Sequence, residues 1–113
     1  MKLNKDPSVI LKDVFGGKGQ LKVWTLIEKS KLRPFVTVFS CELEAGAYSG
    51  EIEQKDYPEI LVVLEGEGEF VVNQQIFSAT SGACLEVDVG DKISVKNMSG
   101  SKPLRYLIVK AQK

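Results

Sequence analysis

The chain contains no histidine. Imidazole is the usual neutral nitrogen donor to iron, copper, zinc and nickel, so its absence removes the commonest ligand of transition-metal centres. Cysteine is nearly absent too. Cys41 and Cys84 lie far apart in strand-like stretches, with no CxxC spacing, and read as two buried free thiols rather than a disulfide. There is no excess of either charge, since fifteen basic side chains balance fifteen acidic ones. A nucleic-acid surface needs a concentrated positive field, so no nucleic-acid partner is expected. The basic residues Lys29, Lys31 and Arg33 read as a solvated loop. Long apolar runs are also missing. No segment approaches the ~20 apolar residues of a membrane helix. The N-terminal run "VIL" is followed at once by Lys12 and Asp13, too short for a secretory signal. The expectation is a cytoplasmic protein that does not engage membranes.

What the sequence does contain is strand. In "LKVWTLIEK", Leu21, Val23, Thr25 and Ile27 alternate with Trp24 and Leu26 on the opposite face. In "FVTVFSCELE", Phe35, Thr37, Phe39, Cys41 and Leu43 share a side, while the other side drifts from Val36 and Val38 to Ser40, Glu42 and Glu44. A period of two with β-branched and aromatic enrichment predicts strands. "GEGEFVVNQQIFSAT" reads as two strands around a turn at Asn73 and Gln74, although glutamine is a weaker turn former than glycine. Asp88, Gly90 and Asp91 mark another turn, and "LRYLIVKA" closes the chain as a last strand. Residues 6 to 15 are open to two readings: a short helix capped by Asp6 and begun at Pro7, or a short added strand. A chain of 113 residues with many short strands predicts one all-β domain over residues 1–113, a sandwich or barrel.

One strand breaks the alternation. "EILVVL", from Glu59 to Leu64, is apolar on both faces, and such a strand must be covered on both. In a small barrel one face looks inward and the other meets water. The sequence therefore predicts a homodimer with Ile60, Val62 or Leu64 near the contact. The alternative cover is the chain's own N-terminal segment.

The spacing of "GAYSGEIEQKDYPEILVVLEG" carries a family resemblance. Gly46 is followed after five residues by Ile52, then Gln54, then Glu59 after four more, and Gly66 after six more. Further on, Gly82 leads after five residues to Asp88, then to Gly90, Ile93 and Asn97. These intervals resemble the paired motifs of the cupins, with the motif-bearing barrel over about residues 35–110. The resemblance implies a conical double-stranded β-helix of the jelly-roll type whose interior is lined by motif residues. Metal-binding cupins hold their ion through motif histidines and a glutamate. The matching positions here are Ile52, Gln54, Ile93 and Glu59, so of that set the carboxylate alone remains. Neither an isoleucine nor a glutamine amide replaces imidazole at a transition metal, and a metal-free barrel with no cofactor is the expectation.

Three functions follow as alternatives. The first is a module binding a small organic ligand, with Ile52, Gln54, Glu59, Ile93 and Asn97 as candidate binding residues. The second is a metal-independent isomerase, epimerase or lyase with Glu59 as acid or base, its pKa raised by apolar surroundings. The third is a structural protein whose interior is packed solid. Gln54 is open to orienting a ligand or to pairing with Glu59. Asn97 is open to a ligand role or, more simply, to bonding local backbone.

Overall fold

In a computed structural model of the protein, described here for residues 6–113, ten strands and one 3₁₀ turn form two antiparallel sheets facing each other. The strands are β1 (Val9–Lys12), β2 (Gln20–Ile27), β3 (Phe35–Leu43), β4 (Ile52–Glu53), β5 (Glu59–Glu65), β6 (Glu67–Val72), β7 (Gln75–Thr80), β8 (Cys84–Val87), β9 (Lys92–Asn97) and β10 (Leu104–Ala111). The larger sheet runs β1-β2-β3-β10-β5-β8 and the smaller one β4-β9-β6-β7. This is the all-β jelly roll that the motif intervals predict.

The alternation of β3 sets which face looks inward. Thr37, Phe39 and Cys41 stand opposite Lys110, Ile108 and Tyr106 of β10. Those in turn stand opposite Glu59, Leu61 and Val63 of β5. One end of the interior is filled. Leu43, Phe70 and Leu104 are fully buried there, and the Phe70 ring meets the Tyr106 ring edge-on with centroids 6.0 Å apart, a favoured aromatic geometry. The other end is open, and the site lies there.

The N-terminal segment settles between its two readings. Residues 9–12 add a strand, pairing with β2 in the register Val9↔Val23 to Lys12↔Gln20. Among the described residues helical geometry is limited to the 3₁₀ turn Val14–Gly16, so the helix begun at Pro7 does not form. Beyond the turn the chain crosses residues 48–50: Lys18 and Tyr48 exchange backbone hydrogen bonds of 2.8 and 2.9 Å, and Gly50 N donates to Val14 O at 2.9 Å. A Cβ on Gly50 would strike the Phe15 carbonyl, and one on Gly17 the Tyr48 carbonyl. Glycine is required at both places by this close approach, which brings Val14 and Phe15 to the cavity wall.

Two further expectations need correcting. Ile27 does not share a face with Leu21, Val23 and Thr25, because a bulge between Thr25 and Ile27 turns it to the outer face opposite Val38. Cys84 is exposed rather than buried, whereas Cys41 is buried and both thiols are free. Cys84 sits at the sheet edge on β8, opposite Val62, on the outer face.

The β6–β7 hairpin turns through Asn73 and Gln74, both with positive φ, at 50° and 70°. Asn73 earns its place: its side chain donates to Asp91 Oδ1 and accepts from Lys92 N, both at 2.9 Å. Gln74 has no such compensation. The left-handed region costs an L residue about 1–2 kcal/mol, and glycine gives back about half of that through its looser unfolded state. Gln74→Gly is therefore expected to stabilise the protein by about 0.5–1 kcal/mol, read as a higher urea midpoint at unchanged slope. Among the described residues no helix is long and apolar enough to cross a membrane.

Candidate functional site

Between the sheets, at the unfilled end, lies a cavity of about 690 Å³, within the usual range for a small-molecule site. Its walls are mostly apolar. Leu21 and Val23 contribute from β2, Phe39 from β3, Leu61 from β5, Ile93 and Val95 from β9, and Ile108 from β10. Ile52 and Ile93 stand directly opposite each other in the β4–β9 pair. The interior is thus not packed solid at this end, since Ile52, Leu61 and Ile93 line open space.

The one buried carboxylate of this lining sits in a cluster with Lys110 and Gln54. Glu59 begins β5 and is only 5 % exposed. Its cross-strand neighbour on β10 is Lys110, whose Nζ donates to Glu59 Oε1 at 3.3 Å and to Gln54 Oε1 at 3.2 Å. Gln54 follows the end of β4. Its backbone is pinned to the Asp88–Asp91 turn, with Gln54 N donating to Asp91 O at 2.9 Å and Gly90 N to Gln54 O at 2.7 Å. Gln54 and Glu59 thus meet through the ammonium of Lys110 rather than directly. Burial pushes the Glu59 carboxyl above its ordinary value, while the charge and hydrogen bond of Lys110 pull the other way.

Beside the cluster, Cys41 and Tyr106 are cross-strand neighbours. Burial, with a smaller contribution from the Glu59 charge, pushes the Cys41 thiol up to about 12. Tyr106 is raised as well, by burial and by the neighbouring Cys41 and Glu59. Neither forms its anion near neutrality, so this pair is a wall and not a nucleophile.

Four of the five candidate binding residues line the cavity together: Ile52, Gln54, Glu59 and Ile93. Asn97 does not, and its assignment to ligand binding is corrected. Its side chain is buried and fully engaged with backbone, donating to the carbonyls of Leu43, Glu44 and Lys102 and accepting from Ser99 N. The residue that the sequence reading missed is Lys110. Its signal was the alternation of "LRYLIVKA", which puts Lys110 on the same face as Tyr106 and Ile108.

Solved structures resemble this chain over nearly all of its length. A predicted oxalate decarboxylase from Thermotoga maritima superposes with a TM-score of 0.87 at 22 % identity, covering 100 % of both chains. This chain has the cupin fold. A cupin-like protein from the same organism superposes with a TM-score of 0.78 at 16 % identity, over 99 % of this chain and 82 % of the other. The cupin domain of an XRE-family transcriptional regulator from Enterobacter cloacae follows at 0.72 and 19 %, over 82 % and 97 %. No family model matches the sequence, and no curated protein matches it.

The residues at the metal position of the cupin fold do not fit a metal here. Ile52 and Ile93 have no lone pair to offer, and the one carboxylate is already met by an ammonium at 3.3 Å. Among the described residues no group of three or more cysteine, aspartate or glutamate side chains is gathered to hold an ion.

Proposed function

We propose that the protein binds a small organic molecule in the cavity between its sheets, without a metal or other cofactor. The observation that carries this reading is an open, mostly apolar chamber of about 690 Å³ with the Gln54–Lys110–Glu59 cluster on its wall. Apolar walls supply affinity by burying the ligand's hydrocarbon, and a few convergent polar atoms fix its orientation. A ligand present at about 100 times its dissociation constant stabilises the native state by about 2.7 kcal/mol. A screen of small, largely apolar compounds is expected to raise the melting temperature, equally with and without chelator. Ile108→Trp, which places an indole in the chamber, is expected to reduce the rise. No rise with any compound, or an equal rise in that variant, overturns the reading.

A second reading is favoured by one observation. Glu59 has a raised pKa, lines the cavity and has one oxygen without a partner among the described residues, which suits a general acid or base in a metal-independent isomerase, epimerase or lyase. Turnover that disappears in Glu59→Gln while binding persists supports it, and turnover unchanged in that variant rejects it.

For the outer face of the large sheet we propose a second copy of this chain. Two rows of neighbours cross that face, Ile27–Val38–Val109–Ile60 and Trp24–Ser40–Leu107–Val62. Ile60 and Leu64 are 39 % and 44 % exposed. The N-terminal strand offers no cover for them, because β1 lies at the sheet edge with β2, β3 and β10 between it and β5. The next row is the ladder Lys22–Glu42–Arg105–Glu65, with Arg105 Nη2 2.8 Å from Glu42 Oε1. That rim carries equal numbers of both signs, and the whole chain is neutral, so two copies meet without net repulsion. Sedimentation is expected to give twice the chain mass, falling to the monomer mass in Ile60→Asp/Leu64→Asp. A monomeric parent protein at tens of micromolar overturns this proposal.

A further inference from the structure

We infer that the cavity selects a neutral head group that both donates and accepts a hydrogen bond, an alcohol, phenol or primary amide on an apolar body, because Lys110 and Glu59 form a matched pair of opposite charges on its wall. The inference rests on the cavity being a binding site, as proposed above.

Which polar atoms remain free for a ligand decides the point. Thr37 Oγ1 donates to Glu28 O at 2.9 Å, and Ser49 Oγ accepts from Val95 N at 3.0 Å. The Tyr106 hydroxyl and the Cys41 thiol stay protonated near neutral pH, so none of these lining groups carries a charge. Lys110 does. Of its three N–H bonds, two go to Gln54 Oε1 and Glu59 Oε1, and the third has no partner among the described residues. Both contacts, at 3.2 and 3.3 Å, exceed the 2.7–2.9 Å of tight charge-assisted bonds, so the ammonium is loosely held. Glu59 Oε2 likewise has no partner. Among the described residues the one sealed polar atom lacking a partner is Trp24 Nε1. Glu59 Oε2 thus keeps contact with open space, and for a side chain lining the cavity that space is the cavity itself.

A ligand entering this wall meets a positive donor and a negative acceptor side by side. A carboxylate is attracted by Lys110 and repelled by Glu59; an ammonium meets the reverse. Either ion also sheds its water in an apolar chamber, a cost that a half-cancelled attraction does not recover. A hydroxyl loses far less on entry and satisfies both partners, its lone pair facing Lys110 and its O–H facing Glu59 Oε2. The other charges on the cavity lining, Glu53, Lys55 and Asp56, are exposed, and water screens them. They do not tip the balance set by the buried pair.

The test uses three probes of one skeleton, benzyl alcohol, benzoate and benzylamine, each titrated into the intact protein at neutral pH and followed by amide NMR shifts. Benzyl alcohol is expected to perturb the lining residues with a dissociation constant at least ~10-fold below either ion, the scale of one unfavourable charge contact in a poorly solvated site. Glu59→Gln removes the negative partner and is expected to reverse the order, benzoate becoming the tightest of the three. Benzoate or benzylamine binding the parent protein as tightly as benzyl alcohol overturns this inference and leaves the cavity reading standing. Failure of all three to perturb the lining residues overturns the cavity reading and the inference together. Should Glu59→Gln fail to fold, the order of affinities in the parent protein decides alone.

Discussion

Lys110→Met is expected to destabilise the protein by about 2–4 kcal/mol at neutral pH, and by almost nothing in acid. Removing one partner of a buried ion pair leaves the other charged and uncompensated, which is where the large cost arises. Glu59 is the buried partner and cannot swing to solvent: its side chain is 4 % exposed, against 26 % for Lys110. The partly exposed ammonium places the effect toward the lower end of the range. Burial already raises the Glu59 pKa, and the two influences that lower it both come from Lys110. Without Lys110 it rises further.

The sign of the pH dependence follows from linkage. A carboxyl whose folded pKa lies above its unfolded value binds its proton more tightly in the native state, so stability falls as pH rises from the unfolded value toward the folded one. In the parent protein that fall begins near the ordinary glutamate value of 4.5. In Lys110→Met it extends further upward, so the deficit against the parent grows with pH. Below the ordinary value both proteins carry a neutral Glu59 and the deficit closes. Adding Glu59→Gln to Lys110→Met is expected to restore most of the loss, because no charge is then stranded. Urea titrations across the acid-to-neutral range check this. A deficit that is the same in acid as at neutrality means that Lys110 acts through packing of its stem alone.

The same pair shows why the fold was more legible than the site. Glycines and turn residues at fixed intervals are local constraints, and Gly46, Gly66, Gly82 and Gly90 all adopt the positive φ that such turns need. Strand alternation is local as well, which is why Thr37, Phe39 and Cys41 share one face as expected, and that face is the inner one. Ile52, Gln54, Glu59 and Ile93 were brought together because the motif intervals already encode their convergence. Lys110 lies outside both motifs, 51 residues from Glu59, and its role depends on a cross-strand register that no local pattern fixes. Ile27 failed for a related reason: one bulged residue reverses every later face in a strand. Cys84 was misplaced because strand patterning says which way a side chain points but not whether anything lies beyond it.

Asn97→Ala is expected to cost about 2–3 kcal/mol, the penalty of stranding the buried Leu43 carbonyl with smaller losses at three part-buried backbone groups. Asn97 is 2 % exposed, and its Nδ2 lies 3.1 Å from Leu43 O, 3.1 Å from Glu44 O and 2.8 Å from Lys102 O. Its Oδ1 accepts from Ser99 N at 2.9 Å. One amide thus ties the end of β3 and the loop before β10 to the end of β9. An aliphatic replacement leaves these groups too enclosed for water to serve them all. Asn97→Asp keeps the shape and is no rescue: a carboxylate has no hydrogen to give the three carbonyls and faces their negative ends, so its pKa rises. By the linkage that applies to Glu59, its deficit is largest at neutral pH and shrinks in acid, where the protonated form recovers one donor. Neither variant touches the cavity. In the folded fraction of Asn97→Ala, benzyl alcohol is expected to bind as it does to the parent protein, within about a factor of two, as for sites that share no partners. A lost or much weakened affinity there would return Asn97 to the binding site, and with it the chamber's lower boundary.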